Sequence, residues 1–552
     1  MGRSRGVAAA LGLAALGALV YVLWLGARDL WYPGEPDLAE ICRAMFTSGD
    51  WIIPRRNGEI FLNYGPLFFW AGSLSSHLLG GMSEFSLRLP NALAAIGLVV
   101  ATSLVGSRWF GPRAGLWAGL LLLASWEFSW QAIGFRVDVL FALFVGLGIF
   151  AYASGAGPDA RWAPRVAGFA LLGLAVLVKG PLGLLLPGLV LTLWHAARRE
   201  WRAILELAPL ALVAIAVSLP WYIASAISLG TETVIREFVS QNFSRFGSGE
   251  QGHGRAAYYY LSRIWLDLTL WAALLPFALW WIFKTRVWRD RRVQLALWWF
   301  GTFFVFLSIA ATKRKLYLLP AYPAAVLLLA RWIAALGEER ADAPSPDPRP
   351  ARVFAAGFRI LLAALAVASL ACAAALGLVV GRLDVLETTR RVLLELRLPA
   401  LAIGVGAAAL WLWVGRPRRG KDLELSLRRL ALAHVLLYLP VVAWILPTLD
   451  PLNTYAPPCR WIADRIESEE HLGYMGSDRK VGAFGYYTGK RMDRVESESE
   501  IEAFFRQHPG SLVVAEEKRS EELIASGKAD WSGRVVRDFE AARRRYIVLG
   551  GP

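Results

Sequence analysis

Cysteine is scarce in this chain, with three in 552 residues. Cys42, Cys372 and Cys459 lie far apart, and Cys372 falls in an apolar segment. Their positions match no cysteine-based metal site and no redox motif. A disulfide between Cys42 and Cys459 stays open, but nothing in the pattern supports it.

Charged residues are also few, at 19%, whereas hydrophobic residues make up 56%. This composition excludes a soluble domain of this size. Apolar runs of about 18 residues or more recur, and each can cross ~30 Å of hydrocarbon. We therefore predict a polytopic α-helical membrane protein with about thirteen transmembrane helices. The predicted spans are 7–27, 86–106, 114–132, 138–154, 166–179, 181–197, 204–226, 257–283, 293–311, 316–336, 354–380, 398–415 and 428–447.

Lys and Arg in the short loops set the orientation. Arg3 and Arg5 precede the first span, and every even-numbered loop is basic. We therefore predict a cytoplasmic N-terminus and a C-terminal domain outside. The net charge of +15 is mostly a topology signal and does not indicate nucleic acid as a partner. No small-residue cleavage site follows the first span, which predicts a retained anchor.

The polar remainder of the chain falls into three segments. Outer loops are predicted at 28–85 and 227–256, within a transmembrane domain that covers 1–447. Residues 448–552 are predicted to form a small extracytoplasmic α/β domain. In it KVGAFGYY, SLVVAEEK and RYIVLGG are interpreted as strands, and EIEAFFRQH and SEELIASG as helices.

The first outer loop begins with an amphipathic pattern. Pro36 can start a helix, and an apolar stripe at helical spacing follows it, which predicts a helix on the membrane surface. Acidic residues cluster at its N-terminal end. They are interpreted either as a functional cluster or as helix-start acids that complement the dipole. The stripe is Leu38, Ile41, Met45 and Phe46, and the acids are Glu35, Asp37 and Glu40.

Two charged residues stand at the outer ends of later spans. Asp138 starts the fourth span, where an ionised carboxylate facing lipid at mid-depth costs about 2.5–3.5 kcal/mol. It is either the carboxylate of a cavity or the partner of Arg136 in an interfacial pair. Lys179 is an isolated outward cation, and its alternative explanation is snorkelling.

Three consecutive cations, at 313–315, lie between two apolar runs on the predicted outer side. Cations near span ends normally belong on the cytoplasmic side. Charge placed against that rule at the membrane surface is a functional-site hypothesis. The natural partner of such a triplet is a phosphate or pyrophosphate.

Several motifs now occur in a recognisable order. The acidic loop is followed by GDWIIPRRNGE, PLFFW, RVDVLFALF, LVKGPLGLLLP, PWY, NFSRF and KRKLYLLPAYP. Over about 28–330 this order resembles the membrane-embedded C-type glycosyltransferases. It is closest to the bacterial branch of lipid A aminoarabinose transferases and protein O-mannosyltransferase relatives.

The resemblance implies a bacterial inner-membrane enzyme with an undecaprenyl-phosphate-type sugar donor. A lipid A, glycan or protein acceptor would attack the anomeric carbon with inversion, and no nucleotide site is expected. A carboxylate would orient and deprotonate the acceptor, and cations would stabilise the leaving phosphate. The catalytic candidates are Asp138 with Glu35 or Asp37. The candidate ligands of the donor phosphate are Lys313, Arg314, Lys315 and Arg245. The candidate residues of the substrate cavity are Tyr64, Arg136, Lys179, His253 and Tyr317.

The sequence departs from the family at the site. Gly34 stands where the family has an Asp, Glu35 is retained, and Asp37 replaces the usual Arg. Asn63 and Tyr64 replace a metal-binding Glu and a phosphate-binding Lys. These changes fit a related enzyme with a different donor or acceptor, for which no cofactor is certain and a divalent metal stays open.

Two other classes of protein remain. A transporter or flippase of lipid-linked sugars would explain the buried charges, but not the large outer loops or the terminal domain. A non-catalytic binder of lipid-linked glycans is kept open by Gly34.

Overall fold

The computed structural model describes residues 2–157, 161–241, 255–336, 345–382, 387–415, 421–466, 471–518, 520–521 and 534–551. Within these residues ten helical segments are long and apolar enough to cross a membrane, and each coincides with a predicted span. They are Ser4–Tyr21, Glu84–Phe110, Val137–Gly155, Trp162–Lys179, Trp201–Leu229, Arg291–Ile309, Lys315–Ala335, Arg349–Val379, Glu387–Val414 and Asp422–Thr448.

The other three predicted spans differ from the prediction in length or shape. Pro112–Leu123 and Leu182–Ala197 are apolar but shorter. The span predicted at 257–283 is not straight, because Tyr259–Asp267 and Thr269–Lys284 meet at 118°. Thr269, at the start of the second segment, has a φ of 55°, which lies outside the right-handed helical region and bends the chain there.

The span predicted at 114–132 is also interrupted. Its helix ends at Leu123, and a separate short helix runs over Trp126–Ala132. The Ser125 hydroxyl donates to the Leu121 carbonyl, which occupies a carbonyl at the end of the first helix.

Short elements cover the face of the bundle that is predicted to be outside. The outer helix, Glu35–Ser48, is joined to Leu67–Leu78 by a hairpin of β1 (Arg55–Arg56) and β2 (Glu59–Ile60). A further helix is Thr231–Val239.

The outer helix has the predicted start and the predicted apolar stripe. Leu38, Ile41 and Met45 are buried, and Phe46 stacks on His77 with ring centroids 4.2 Å apart. However, the helix does not lie uncovered on the membrane surface. It packs between Leu67–Leu78 and a helix of the C-terminal region, which gives both of its faces a protein partner.

The C-terminal region contains a five-stranded sheet in the order β4-β3-β5-β7-β6. Its first three strands are parallel, and β7 runs antiparallel to β5 and β6. The strands are β3 (His471–Met475), β4 (Arg491–Arg494), β5 (Leu512–Glu516), β6 (Val535–Ala541) and β7 (Arg544–Gly550); the helices are Ala456–Ala463, Val481–Thr488 and Glu498–Gln507.

The strands predicted at SLVVAEEK and RYIVLGG and the helix at EIEAFFRQH are confirmed. The strand predicted at KVGAFGYY is wrong, because this segment is the helix Val481–Thr488. Phe484 is buried among sheet residues, and Gly482 and Gly485 let the helix approach the outer helix. Most of SEELIASG lies outside the described residues.

The hairpin of the outer loop is hydrogen-bonded to the C-terminal sheet. The Asn57 side chain, in the turn of the hairpin, exchanges two 2.8 Å hydrogen bonds with the backbone of Met492 on the edge strand β4. All three cysteines are free; Cys42 and Cys459 are buried in different clusters, so the disulfide between them does not form.

Candidate functional site

An ion pair joins the ends of two spans. Asp138 lies in the first turn of Val137–Gly155, and Lys179 is the last residue of Trp162–Lys179. The Lys179 ammonium donates to Asp138 Oδ1 and lies 4.4 Å from the ring centre of Tyr317. The partner of Asp138 is therefore Lys179 and not Arg136, and Lys179 is buried with its partner instead of snorkelling.

Glycines place the outer loop against this pair. Gly180 ends the Lys179 helix with a φ of 81°. At Gly65 a Cβ atom would lie 2.1 Å from the Leu177 carbonyl oxygen, so only glycine lets the loop approach the end of this helix. The approach brings Tyr64 next to Lys179.

Lys179 of this pair lines a cavity of about 110 Å³ between the spans and the outer loop. Three residues predicted for the site, Tyr64, Lys179 and Tyr317, line its wall together with Asn63 and Thr312. The remaining wall is largely apolar. Its other lining residues are Phe141, Leu182, Leu186, Gln241, Phe303, Leu307 and Ala310.

Tyr64 stays protonated in this setting. Burial and the neighbouring Asp138 carboxylate raise the pKa of its hydroxyl. A neutral phenol donates one hydrogen bond, so Tyr64 supplies a donor without a charge at the position where the family has Lys.

Glu35 is the centre of a buried ion cluster. Its carboxylate accepts from Arg28 at 2.7 Å and from Arg88 at 3.0 Å. The backbone N–H groups of Trp31 and Phe135 donate to it as well. Burial alone would raise the pKa of Glu35, but the two guanidinium groups hold it well below its usual range. Both oxygens are engaged, and this geometry favours a structural role over the predicted catalytic one.

The other two acids of the outer helix point away from Glu35. Asp37 lies 3.9 Å from Arg56 and against Gly482 of the C-terminal region, and Glu40 pairs with Arg43 at 2.7 Å. At 100° per residue, positions 37 and 40 share a side of the helix that position 35 does not. The three acids therefore do not form the single predicted cluster facing Asp138. Burial raises the pKa of Asp37 to about 6.

Arg136 fills the space beside Gly34. Its guanidinium donates to the Pro33 carbonyl at 2.8 Å. It therefore lies at the outer helix start, where the family has a carboxylate, and not on Asp138.

The cationic triplet divides into three environments. The Lys313 ammonium is buried and donates to the carbonyls of Arg255 and Ala310. Lys315 lies 3.2 Å from the buried carboxylate of Glu127. Arg314 is exposed, and its charge acts on the Tyr64 hydroxyl of the cavity. Lys313 and Lys315 are therefore each engaged by groups of the protein itself. Arg245 and His253 lie outside the described residues.

Sequence reasoning missed the partners of these groups. Arg28 and Arg88 hold Glu35, and Glu127 holds Lys315. The available signal was an acid or a cation in an otherwise apolar segment, as in SWEFSW around Glu127.

The family model for dolichyl-phosphate-mannose-protein mannosyltransferases matches residues 63–223, which contain Tyr64, Asp138 and Lys179. Among curated proteins, the undecaprenyl phosphate-alpha-4-amino-4-deoxy-L-arabinose arabinosyl transferase of Edwardsiella ictaluri is 30% identical over 342 residues. That match spans 60% of this chain and 60% of the relative. The enzyme of the same name from Pseudomonas aeruginosa strain UCBPP-PA14 is 32% identical over 324 residues, 56% of this chain and 57% of the relative.

The solved structure of ArnT from Cupriavidus metallidurans bound to undecaprenyl phosphate superposes with a TM-score of 0.76. The identity is 23%, and the match covers 98% of this chain and 99% of ArnT. This chain has the ArnT fold. The apo state of ArnT gives a TM-score of 0.75 at 24% identity. The resemblance to C-type glycosyltransferases, the polytopic helical fold and its C-terminal sheet are thereby confirmed, and the chain is a multi-pass membrane protein.

Proposed function

We propose that this protein is a membrane glycosyltransferase that moves a sugar from a polyprenyl-phosphate donor to a periplasmic acceptor. The observation that carries the proposal is the ion pair of Asp138 with Lys179, in which Lys179 lines a cavity at the predicted outer ends of the spans. An ion pair in that position orients a polar reactant while apolar walls hold a lipid. Curated relatives named for undecaprenyl phosphate-linked aminoarabinose transfer, and an ArnT structure bound to undecaprenyl phosphate, support this donor class.

A groove for the lipid tail lies close to the cavity. It has a volume of about 730 Å³ and runs between Leu182–Ala197 and Arg291–Ile309. The same two helices contribute Leu186 and Phe303 to the cavity wall. An isoprenoid chain in the groove would therefore lie beside a sugar phosphate in the cavity.

The transfer step is an inverting displacement at the anomeric carbon. The acceptor hydroxyl forms a bond to this carbon as the bond to the phosphate oxygen breaks, and the proton passes to the Asp138 carboxylate. Lys179 donates a hydrogen bond to that carboxylate and balances its charge before the step. We propose that the hydroxyl groups of Tyr64 and Tyr317, which line the cavity, and the charge of Arg314, which acts on Tyr64, stabilise the charge that develops on the phosphate.

The acceptor and the sugar are left open by the site, as lipid A, another glycan and a protein all offer a nucleophile. Asn63 presents an amide where the family has a carboxylate. Because hard divalent cations prefer carboxylate oxygens, we propose that transfer in this protein does not use a metal held at position 63.

Transfer of radiolabelled sugar from polyprenyl phosphate in proteoliposomes tests the function. Asp138→Asn keeps the shape of the side chain and removes its charge, so we expect a folded protein without transfer. The matched control is Asp290→Asn, an exposed helix N-cap in a loop that is predicted to be cytoplasmic, where Asn caps as well as Asp. Wild-type turnover in the Asp138 variant would overturn the catalytic role. Donor binding without transfer by the unaltered protein would favour a non-catalytic binder.

A further inference from the structure

Two imidazoles and one carboxylate meet at the edge of the C-terminal sheet, in a group that the proposed transfer does not use. His471, Asp493 and His508 each offer one ligand atom, and these atoms lie within 4.8 Å of one another. The His471 Nδ1 atom is hydrogen-bonded to Asp493 Oδ2, and His508 Nε2 lies 3.9 Å from that oxygen. The two imidazole rings stack with centroids 4.3 Å apart.

The fold brings these residues together from three elements. His471 begins β3 and Asp493 lies on β4, which pairs with β3 in parallel so that His471 stands opposite Arg491. Residues two apart on a strand share a face, and Asp493 is therefore on the His471 side of the sheet. His508 caps the C-terminal end of Glu498–Gln507, and its backbone N–H donates to the Phe504 carbonyl.

We propose that this group is a binding site for one divalent transition-metal ion, with Zn²⁺ as its best-suited occupant. Neutral imidazole nitrogen and carboxylate oxygen are common Zn²⁺ ligands, at about 2.0–2.2 Å from the ion. Three protein ligands leave a fourth position for water. The ligands need to move by only an ångström or so to reach such distances.

The surroundings allow an ion to enter without unfolding. The side chains of His471, Asp493 and His508 are 21%, 29% and 24% exposed. Arg491 lies nearby, 3.8 Å from the other Asp493 oxygen, but its side chain is 61% exposed and points to solvent. The metal would replace the hydrogen bond between His471 Nδ1 and Asp493 Oδ2.

An ion here would tie the edge strand β4 to β3 and to the Glu498–Gln507 helix. Met492, beside Asp493, carries both hydrogen bonds to Asn57 of the outer hairpin. The metal would therefore stabilise the surface onto which the first outer loop docks. Its role would be structural, at a distance from the cavity.

Zn²⁺ binding to the full chain in detergent tests the proposal. After chelation and removal of the chelator, we expect calorimetry to show one high-affinity Zn²⁺ per chain and no comparable site for Mg²⁺. Co²⁺ should give a visible absorption spectrum of a nitrogen-ligated ion. Zn²⁺ should also raise the unfolding temperature, because it binds the folded state.

Three variants and one control locate the site. Removing one protein ligand, in His471→Ala, Asp493→Asn or His508→Gln, should weaken binding by tenfold or more, roughly the scale of metal-site changes, and abolish the rise in unfolding temperature. His77→Ala removes an exposed imidazole on a different element and should bind as the unaltered chain does. His508→Gln keeps a polar side chain at the helix end and so preserves folding. No bound Zn²⁺, or binding that all three variants leave unchanged, would overturn the site. None of these measurements needs the sugar donor, so the result stands apart from the outcome of the transfer assay.

Discussion

The Nη1 atom of Arg136 lies 2.1 Å from the point where a Cβ atom on Gly34 would stand. The guanidinium thus occupies the position of a side chain that this sequence lacks. Gly34 also has a φ of 107°, a conformation that other residues rarely adopt. An acid cannot be restored at position 34 by simple substitution, because both the backbone and Arg136 would have to move.

Gly34→Ala should therefore lower the stability of the protein. The backbone strain alone is expected to cost about 1–3 kcal/mol, and the contact with Arg136 adds to it. The double variant Gly34→Ala/Arg136→Ala should regain the stability that the steric contact costs, but not the stability that the backbone strain costs. Thermal unfolding in detergent measures both, with Gly301→Ala, a helical glycine with open space around it, as control. Equal stability of Gly34→Ala and the unaltered chain would contradict the steric account.

Glu35→Gln should damage the fold more than Asp37→Asn does. Removal of the Glu35 charge leaves Arg28 and Arg88 buried without a counter-ion, which is expected to cost about 3–5 kcal/mol. Asp37 is half-buried and its neighbour Arg56 is 3.9 Å away, so its change should be mild. The yield of monodisperse protein and its unfolding temperature measure the difference. A Glu35→Gln protein that is fully stable yet inactive in transfer would restore the catalytic prediction for Glu35.

The contribution of Asp37 to the stability of the protein should fall as pH rises from about 4 to about 6. Burial raises the pKa of Asp37 from 3.8 to about 6, so in this window the folded state binds more protons than the unfolded state. The favourable contribution is complete at low pH and is lost as Asp37 ionises in the folded protein. Asp37→Asn should flatten this slope. Burial also raises the pKa of Asp450 to about 6, and the contribution of Asp450 to the slope should remain in this variant. An unchanged slope would argue against titration of Asp37.

The cations of the triplet should separate in a donor-binding assay. Arg314→Ala should lower catalytic efficiency at subsaturating donor by about ten- to a hundredfold, since a charge-assisted contact is worth roughly 1.5–3 kcal/mol. Lys313→Ala should mainly lower stability, because its ammonium holds two backbone carbonyls. Lys315→Ala should do the same by leaving Glu127 unpaired. Lost donor affinity with full stability in Lys313→Ala would return the phosphate contact to Lys313.

A reporter enzyme that works only in the cytoplasm should be silent when it is fused after Pro552. The thirteen predicted spans and the basic even-numbered loops place the C-terminus outside. A fusion after Arg199, in a basic loop predicted inside, is the positive control. Activity of the Pro552 fusion would require an even number of crossings and would move the triplet to the cytoplasmic side.

The helices were predictable because length and apolarity alone decide a membrane span. The helix at KVGAFGYY was not predictable, since the small and apolar residues of this segment fit both the helical and the strand periodicity. Its helix depends on packing against the outer helix, near Asp37 and Glu40. Local sequence does not contain that contact.

Tyr64, Lys179 and Tyr317 were predicted for the site and line one cavity, but the partners of the charged residues were not predicted. Asp138 and Lys179 each stood out as a charge at a span end, yet their pairing depends on two helix ends 41 residues apart in the chain. Likewise, His471 and Asp493 are separated by 22 residues and meet only through strand pairing. Charge at an apolar position signals importance, whereas the fold decides which partner it finds.

The hydrogen bonds between Asn57 and Met492 join positions 435 residues apart. During synthesis the hairpin therefore emerges early, and its partner strand emerges almost last. Contacts of such long separation form late, because the loop between them has to close first. The outer face of this protein is thus completed only when nearly the whole chain has been made and inserted. Until then the outer loop beside the cavity lacks its hydrogen bonds to β4.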